Sequence, residues 1–154
     1  MDTLKKAARY ERIFDQLRGL LTKTDEPVAR MATVAAVLSH KFEYFFWCGF
    51  YRVSGEKLIV GPYQGPVACQ VLEDRGVCLE AVKRKSTVIV PNVHEFPGHI
   101  ACDSRSNSEI VVPVTGTGGD TLAVLDVDSK DFNAFDDTDA KYLGKIVLLI
   151  YQAG

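Results

Sequence analysis

The chain has 154 residues, 47% of them hydrophobic and 25% charged, with 18 basic against 20 acidic side chains. That is the size and composition of one soluble globular domain, here expected over residues 1–154, able to bury a core without staples. The near-neutral balance and scattered basic residues give no electrostatic footprint for nucleic acid, and no apolar run reaches membrane-spanning length.

In the opening MDTLKKAARYERIFDQL no apolar stretch has signal-peptide length, so the expected compartment is the reducing cytoplasm. Four cysteines in that setting are expected as thiols, metal ligands or redox residues rather than structural disulfides. Tyr10, Ile13, Phe14, Leu17, Leu20 and Leu21 recur at helical spacing and predict a first helix ending before Thr22. Thr24 or Asp25 is placed to cap a second helix, with Pro27 in its first turn and Met31, Val34, Leu38 and Phe42 facing inward.

A strand rich in aromatics is predicted over Tyr44–Val53, then a Ser54-Gly55-Glu56 turn and a strand over Lys57–Gly61. The loop GPYQGP leads to a short strand, Val67–Leu72, a helix over Arg75–Lys85 and a strand over Thr87–Val90. Turn formers dominate Pro97–Ser108. Strands over Glu109–Val114 and Thr121–Asp128 flank a glycine-rich hairpin at Gly116–Asp120, and Asp136 caps a last helix carrying the stripe Leu143, Ile146, Val147, Ile150 and Tyr151. Helices at both ends of a run of hairpin-connected strands predict an α+β fold with helices packed on an antiparallel sheet.

Strand alternation sets Phe46, Cys48 and Phe50 on one face, where Cys48 reads as a buried structural thiol. Trp47 and Tyr51 share the other face, with Gly49 between them leaving open space; core packing and a shelf for a flat or methyl-bearing ligand are both consistent with that pattern. Cys69, Cys78 and Cys102 each lie near a loop or at an element's end. Cys78 follows Arg75 at an expected helix start, where dipole and guanidinium would favour thiolate. Cys102 sits in the loop between His99 and Asp103, groups able to change its acidity.

The carboxylates carry a second signal. Acidic side chains are depleted in strands and costly to bury unpaired, yet Glu109 opens one strand, and Asp126 and Asp128 share a face of another. Three converging carboxylates suit an ammonium or a metal. An EF-hand is excluded over Asp126–Asp131, because Lys130 stands where a ligand belongs and Asp131 where the turn needs glycine. His94, His99, Cys102 and Asp103 match no standard zinc spacing, so no metal is assigned.

The segments FFWCGFY, GPYQGPVAC, RGVC, PNVHEFPGHIACDSRSNSEIVVPV and LAVLDVDS together resemble the free methionine-(R)-sulfoxide reductases, a branch of the GAF domain family. The resemblance covers about Phe45–Phe135 and implies a six-stranded antiparallel sheet with helices against it, closed over one small-ligand pocket. It implies reduction of free methionine-R-sulfoxide with no bound cofactor, electrons arriving from NADPH through thioredoxin, and a homodimer. Cys102 then corresponds to the nucleophile and Cys69 to the resolving thiol, with Cys78 the third family cysteine. Trp47 and Tyr51 correspond to the aromatic wall at the methyl-sulfinyl end. Glu109, Asp126 and Asp128 correspond to the acidic group that holds the ammonium and the sulfoxide region, with Glu109 or Asp128 as proton source. The segment QVLEDRGV between Cys69 and Cys78 is one residue shorter than the family pattern, which leaves open whether Cys69 or Cys78 resolves. A non-catalytic GAF module that senses a small ligand is the alternative.

Overall fold

The computed structural model describes residues 1–99 and 102–152; Ile100 and Ala101 of the HIACD segment, and the last two residues of the expected domain, lie outside the described residues. Four helices are α1 (Thr3–Leu20), α2 (Pro27–Lys41), α3 (Val77–Arg84) and α4 (Asp137–Val147). The strands are β1 (Trp47–Ser54), β2 (Lys57–Gln64), β3 (Val71–Leu72), β4 (Val88–Val90), β5 (Ser108–Thr115) and β6 (Thr121–Ser129). They form one six-stranded sheet in the order β3-β2-β1-β6-β5-β4, every neighbouring pair antiparallel. The α+β expectation holds, and the order of elements along the chain is the one read from the sequence.

One face of the sheet carries the larger core. Cys48 and Phe50 of β1, Ile110 and Val112 of β5, and Leu125 and Val127 of β6 pack with Tyr10, Leu17, Met31, Leu38, Leu143 and Ile146 from α1, α2 and α4. Each such buried aliphatic side chain contributes about 1.5–3 kcal/mol over its exposed state. A buried polar node ties these helices together. Asp139 of α4 accepts from Lys6 Nζ at 2.8 Å, Tyr10 at 2.7 Å and Tyr44 at 2.9 Å, so a carboxylate out of water is fully partnered. The opposite face holds a smaller cluster, built from Trp47, Tyr51, Val111 and Val124 under Val77, Cys78 and Ala81 of α3.

Several boundaries differ from the sequence reading, each for a local reason. The cap of α2 is Glu26, whose carboxylate accepts from Ala29 N at 2.9 Å, rather than Thr24 or Asp25; Pro27 then occupies the first helical position. β1 starts at Trp47, not Tyr44, because Tyr44 and Phe45 belong to an aromatic cluster with Phe42 at the end of α2. Phe46 therefore leaves the Cys48–Phe50 face, and it lines the opposite cavity.

β2 runs on through Gly61 and Pro62 to Gln64. Proline is tolerated there because the register with β1 shifts between Gly49 and Tyr51, and β3 pairs only with Leu58 and Ile59. The latter fact also reduces β3 from the expected Val67–Leu72 to two residues. Asp136 caps α4 with a reciprocal capping box as expected, but the helix ends at Val147. Beyond it the chain tightens into i→i+3 turns, and Arg30 collects the carbonyls of Leu149 and Gln152 at 2.7 and 2.6 Å.

Candidate active site

The smaller core face opens into a cavity whose floor is set by strand register. Trp47 of β1 stands opposite Asp128 of β6, and Asp128 opposite Glu109 of β5. The next row on the same face holds Gly49, Asp126 and Val111. Three strands thus deliver an aromatic wall and three carboxyls to one pleated surface. Cys78, in the first turn of α3, covers the acids from above.

Gly49 does not leave the expected open shelf. A Cβ there would collide with Tyr63 Cβ and lie 2.8 Å from Trp47 Cη2, so Tyr63 and the indole occupy the space. The result is a stack of three rings, with Trp47 centroids 5.2 Å from Tyr63 and 5.8 Å from Tyr51. Tyr63 lay hidden in what the sequence presented as loop. The polar tips of this wall hold the segment bearing Cys69: Trp47 Nε1 donates to the Pro66 carbonyl at 3.0 Å, and Tyr51 donates to the Cys69 carbonyl at 2.8 Å.

At the mouth, Cys69 and Cys102 form a disulfide with a Cα–Cα separation of 5.5 Å. The short segment between Cys69 and Cys78 therefore still carries Cys69 to the loop cysteine. Cys102 is exposed and Cys69 half-buried, whereas Cys78 and Cys48 are buried free thiols, Cys48 on the far face of the sheet. The expectation that Cys78 favours thiolate is overturned. Burial, followed by the neighbouring Asp126, Glu109 and Asp128, pushes its pKa well above the usual thiol value. The dipole at the helix start is too weak to offset that desolvation.

Electrostatics divide the carboxyls into two kinds. Burial, and then Asp126 and Asp128, raise Glu109 well above the ordinary carboxylate range. Asp128 is raised in the same way by burial and Asp126, and Asp126 is raised by burial while bonds from Glu109 and Cys78 oppose the shift. Like charges this close cannot all ionise out of water, so the group shares protons. Among the described residues, Asp126 Oδ1 is buried without a hydrogen-bond partner.

Asp103, beside Cys102, is the other kind. Hydrogen bonds from the Arg105 side chain and backbone hold it down to about 2. Arg105 and Lys130 each place their charge 4.8 Å from the centre of the Phe46 ring, pinning the end of the cysteine loop. His99 Nε2 stands 3.8 Å from Glu109 Oε1, and its pKa is lowered by burial and by His94. Phe46, Arg75, His99 and Asp103 all line the cavity. No periodicity or motif signal in the sequence gives Phe46 or Arg75 that role; for His99 and Asp103 the one signal is adjacency to Cys102.

Fold and site together define a small-ligand domain of the GAF type. Residues 25–153 match the GAF domain family, and the chain belongs to it. Within that family it belongs to the free methionine-R-sulfoxide reductase branch. It is 37% identical to the free methionine-R-sulfoxide reductase of Saccharomyces cerevisiae, over 97% of this chain and 88% of that one. It is 47% identical to GAF domain-containing protein A of Dictyostelium discoideum, over 94% of this chain and 92% of that one. A solved structure of the free methionine-R-sulfoxide reductase of Neisseria meningitidis in complex with its substrate superposes with a TM-score of 0.90 at 41% identity, covering 97% of this chain and 89% of that one.

Proposed function

We propose that the chain acts as a single GAF domain, residues 1–154, that reduces free L-methionine-(R)-sulfoxide to methionine. The observation that carries the reading is the redox pair Cys69–Cys102 at the mouth of a cavity floored by proton-sharing acids. In the reduced protein the Cys102 thiolate attacks the sulfoxide sulfur. The sulfoxide oxygen takes a proton from Glu109 or Asp128, whose raised pKa values keep a proton available at neutral pH. Oxygen passes to Cys102 as a sulfenic acid, and methionine is left two electrons reduced. Cys69 then condenses with the sulfenic acid, releasing water and forming the disulfide.

Cys69 is the resolving thiol in this scheme, and its support is the bridge it makes; Cys78 is buried against the acids and has no part in electron transfer. Trp47 and Tyr51 wall the methyl-sulfinyl end. Asp126 Oδ1, the unpartnered acceptor, suits the α-ammonium of a free amino acid. Thioredoxin, drawing on NADPH, restores the dithiol. A cytoplasmic homodimer is part of the same reading and rests on the resemblance to the reductase branch. The test follows NADPH consumption with thioredoxin and its reductase, comparing the R and S epimers of free methionine sulfoxide. Consumption with R alone is expected; none with either, from a folded and fully reduced protein, overturns the reading.

A further inference from the structure

Cys78 is a buried nucleophile without a task in that chemistry. Its Sγ, one carboxyl oxygen of Glu109 and one of Asp126 all lie within 4.8 Å of one another. The three side chains come from α3, β5 and β6, so the helix–sheet packing itself fixes their convergence. All three residues are at least nine-tenths buried, and the unpartnered Oδ1 belongs to one of them. Sulfur with two carboxyl oxygens is a donor set for a borderline-soft divalent ion, whereas calcium and magnesium demand about six oxygens. A tetrahedral zinc-class ion holds S and O donors roughly 3.4–3.8 Å apart, given bond lengths of about 2.0–2.3 Å. From within 4.8 Å, the trio would have to draw together by side-chain rotation to reach that spacing. A fourth position stays open toward the cavity.

We propose that Cys78, Glu109 and Asp126 form a binding site for a zinc-class divalent cation, which occupies the acids of the cavity and competes with the substrate. The binding step balances as exchange: the ion enters, the Cys78 thiol and the carboxyls give up the protons they hold, and no electrons move. The trio would then act as a metal-sensitive brake on the cavity. The competition rests on the reductase reading; the binding does not.

The disulfide makes the site testable alone, because oxidation removes Cys69 and Cys102 as competing thiols and Cys48 is fully buried on the other face. Cobalt(II) titrated into the oxidised full-length protein should give a near-ultraviolet thiolate-to-metal band saturating at one equivalent, bleached by zinc. Cys78→Ser should abolish the band. Asp126→Asn, which keeps the thiol, should weaken binding at least tenfold, and serves if the first variant does not fold. A band that survives in Cys78→Ser, or no band in the oxidised parent, overturns the site. Free methionine-R-sulfoxide should raise the apparent dissociation constant for cobalt in proportion to its concentration. Turnover with no such competition overturns the brake; no turnover at all removes the reductase reading and leaves the cobalt band to decide the site.

Discussion

The hydroxyl of Tyr51 donates a 2.8 Å hydrogen bond to the carbonyl oxygen of Cys69, joining the cavity wall to the backbone of the half-buried cysteine in the disulfide. One side chain thus shapes the pocket and steadies the residue that must approach Cys102. Tyr51→Phe keeps the ring and its stacking on Trp47 but frees that carbonyl. A neutral hydrogen bond contributes about 0.5–1.5 kcal/mol, so disulfide formation after a single turnover should slow by roughly two- to tenfold. Rapid-quench peptide mass mapping measures this. Unchanged closure would mean that the bond does not steady Cys69.

Cys102→Ser should abolish turnover with the fold intact, since a hydroxyl is nearly isosteric but far less nucleophilic. Cys69→Ser should still release one equivalent of methionine and then stall, because the sulfenic acid has lost its partner. Steady turnover of Cys102→Ser within a few-fold of the parent would remove that residue from the reaction. A Cys78–Cys102 bridge in Cys69→Ser that sustains recycling would reassign the resolving role.

Period made the helices and the central strand legible, because Tyr10, Ile13 and Leu17 repeat at 3.6 in the first helix, Met31, Val34 and Leu38 in the second, and Cys48 and Phe50 at 2. It also set Trp47 and Tyr51 on one face of their strand, and Asp126 and Asp128 on one face of another. What stayed hidden depends on cross-chain register. Pro62 reads as a strand breaker until the bulge opposite Phe50 accommodates it, and with it came Tyr63, the third ring of the wall. Cys78 was misread for a related reason. Helix-start chemistry is local, whereas the desolvation that dominates it comes from β5 and β6, thirty and more residues away in sequence.

Stability should fall with rising pH through the range where the buried acids keep protons that the unfolded chain has released. Glu109 faces Asp126 and Asp128 from β6, Cys78 from α3 and His99 from the loop, and its folded pKa lies above its unfolded one. The native state therefore binds more protons than the unfolded state above about pH 4, and the loss continues until the folded value is passed. Asp103 and Asp136, whose pKa values are lowered, act oppositely on the acid side. Comparison with Glu109→Gln isolates the effect: the parent's unfolding free energy should decline more steeply, by up to about 1.4 kcal/mol per pH unit. Parallel profiles in denaturant melts would show that Glu109 ionises normally in the fold.

The unpartnered Asp126 Oδ1 implies that the substrate should be the free amino acid. An ammonium entering beside Glu109, Asp126 and Asp128 supplies the missing donor and a counter-charge for acids that burial otherwise keeps protonated. Hydrogen bonds to a charged group contribute about 1.5–3 kcal/mol each. Acetylating the nitrogen deletes the charge and adds bulk in a cavity walled by Trp47 and Tyr51 and covered by Cys78. Each lost contact should lower kcat/KM by about ten- to a hundredfold, and an oxidised peptide should not turn over. Asp126→Asn should narrow the gap between free and N-acetyl substrate, because its amide no longer favours a cation. The measurement is kcat/KM for the free, N-acetyl and peptide forms on parent and variant. Equal efficiency on all three would mean that the acids do not read the ammonium.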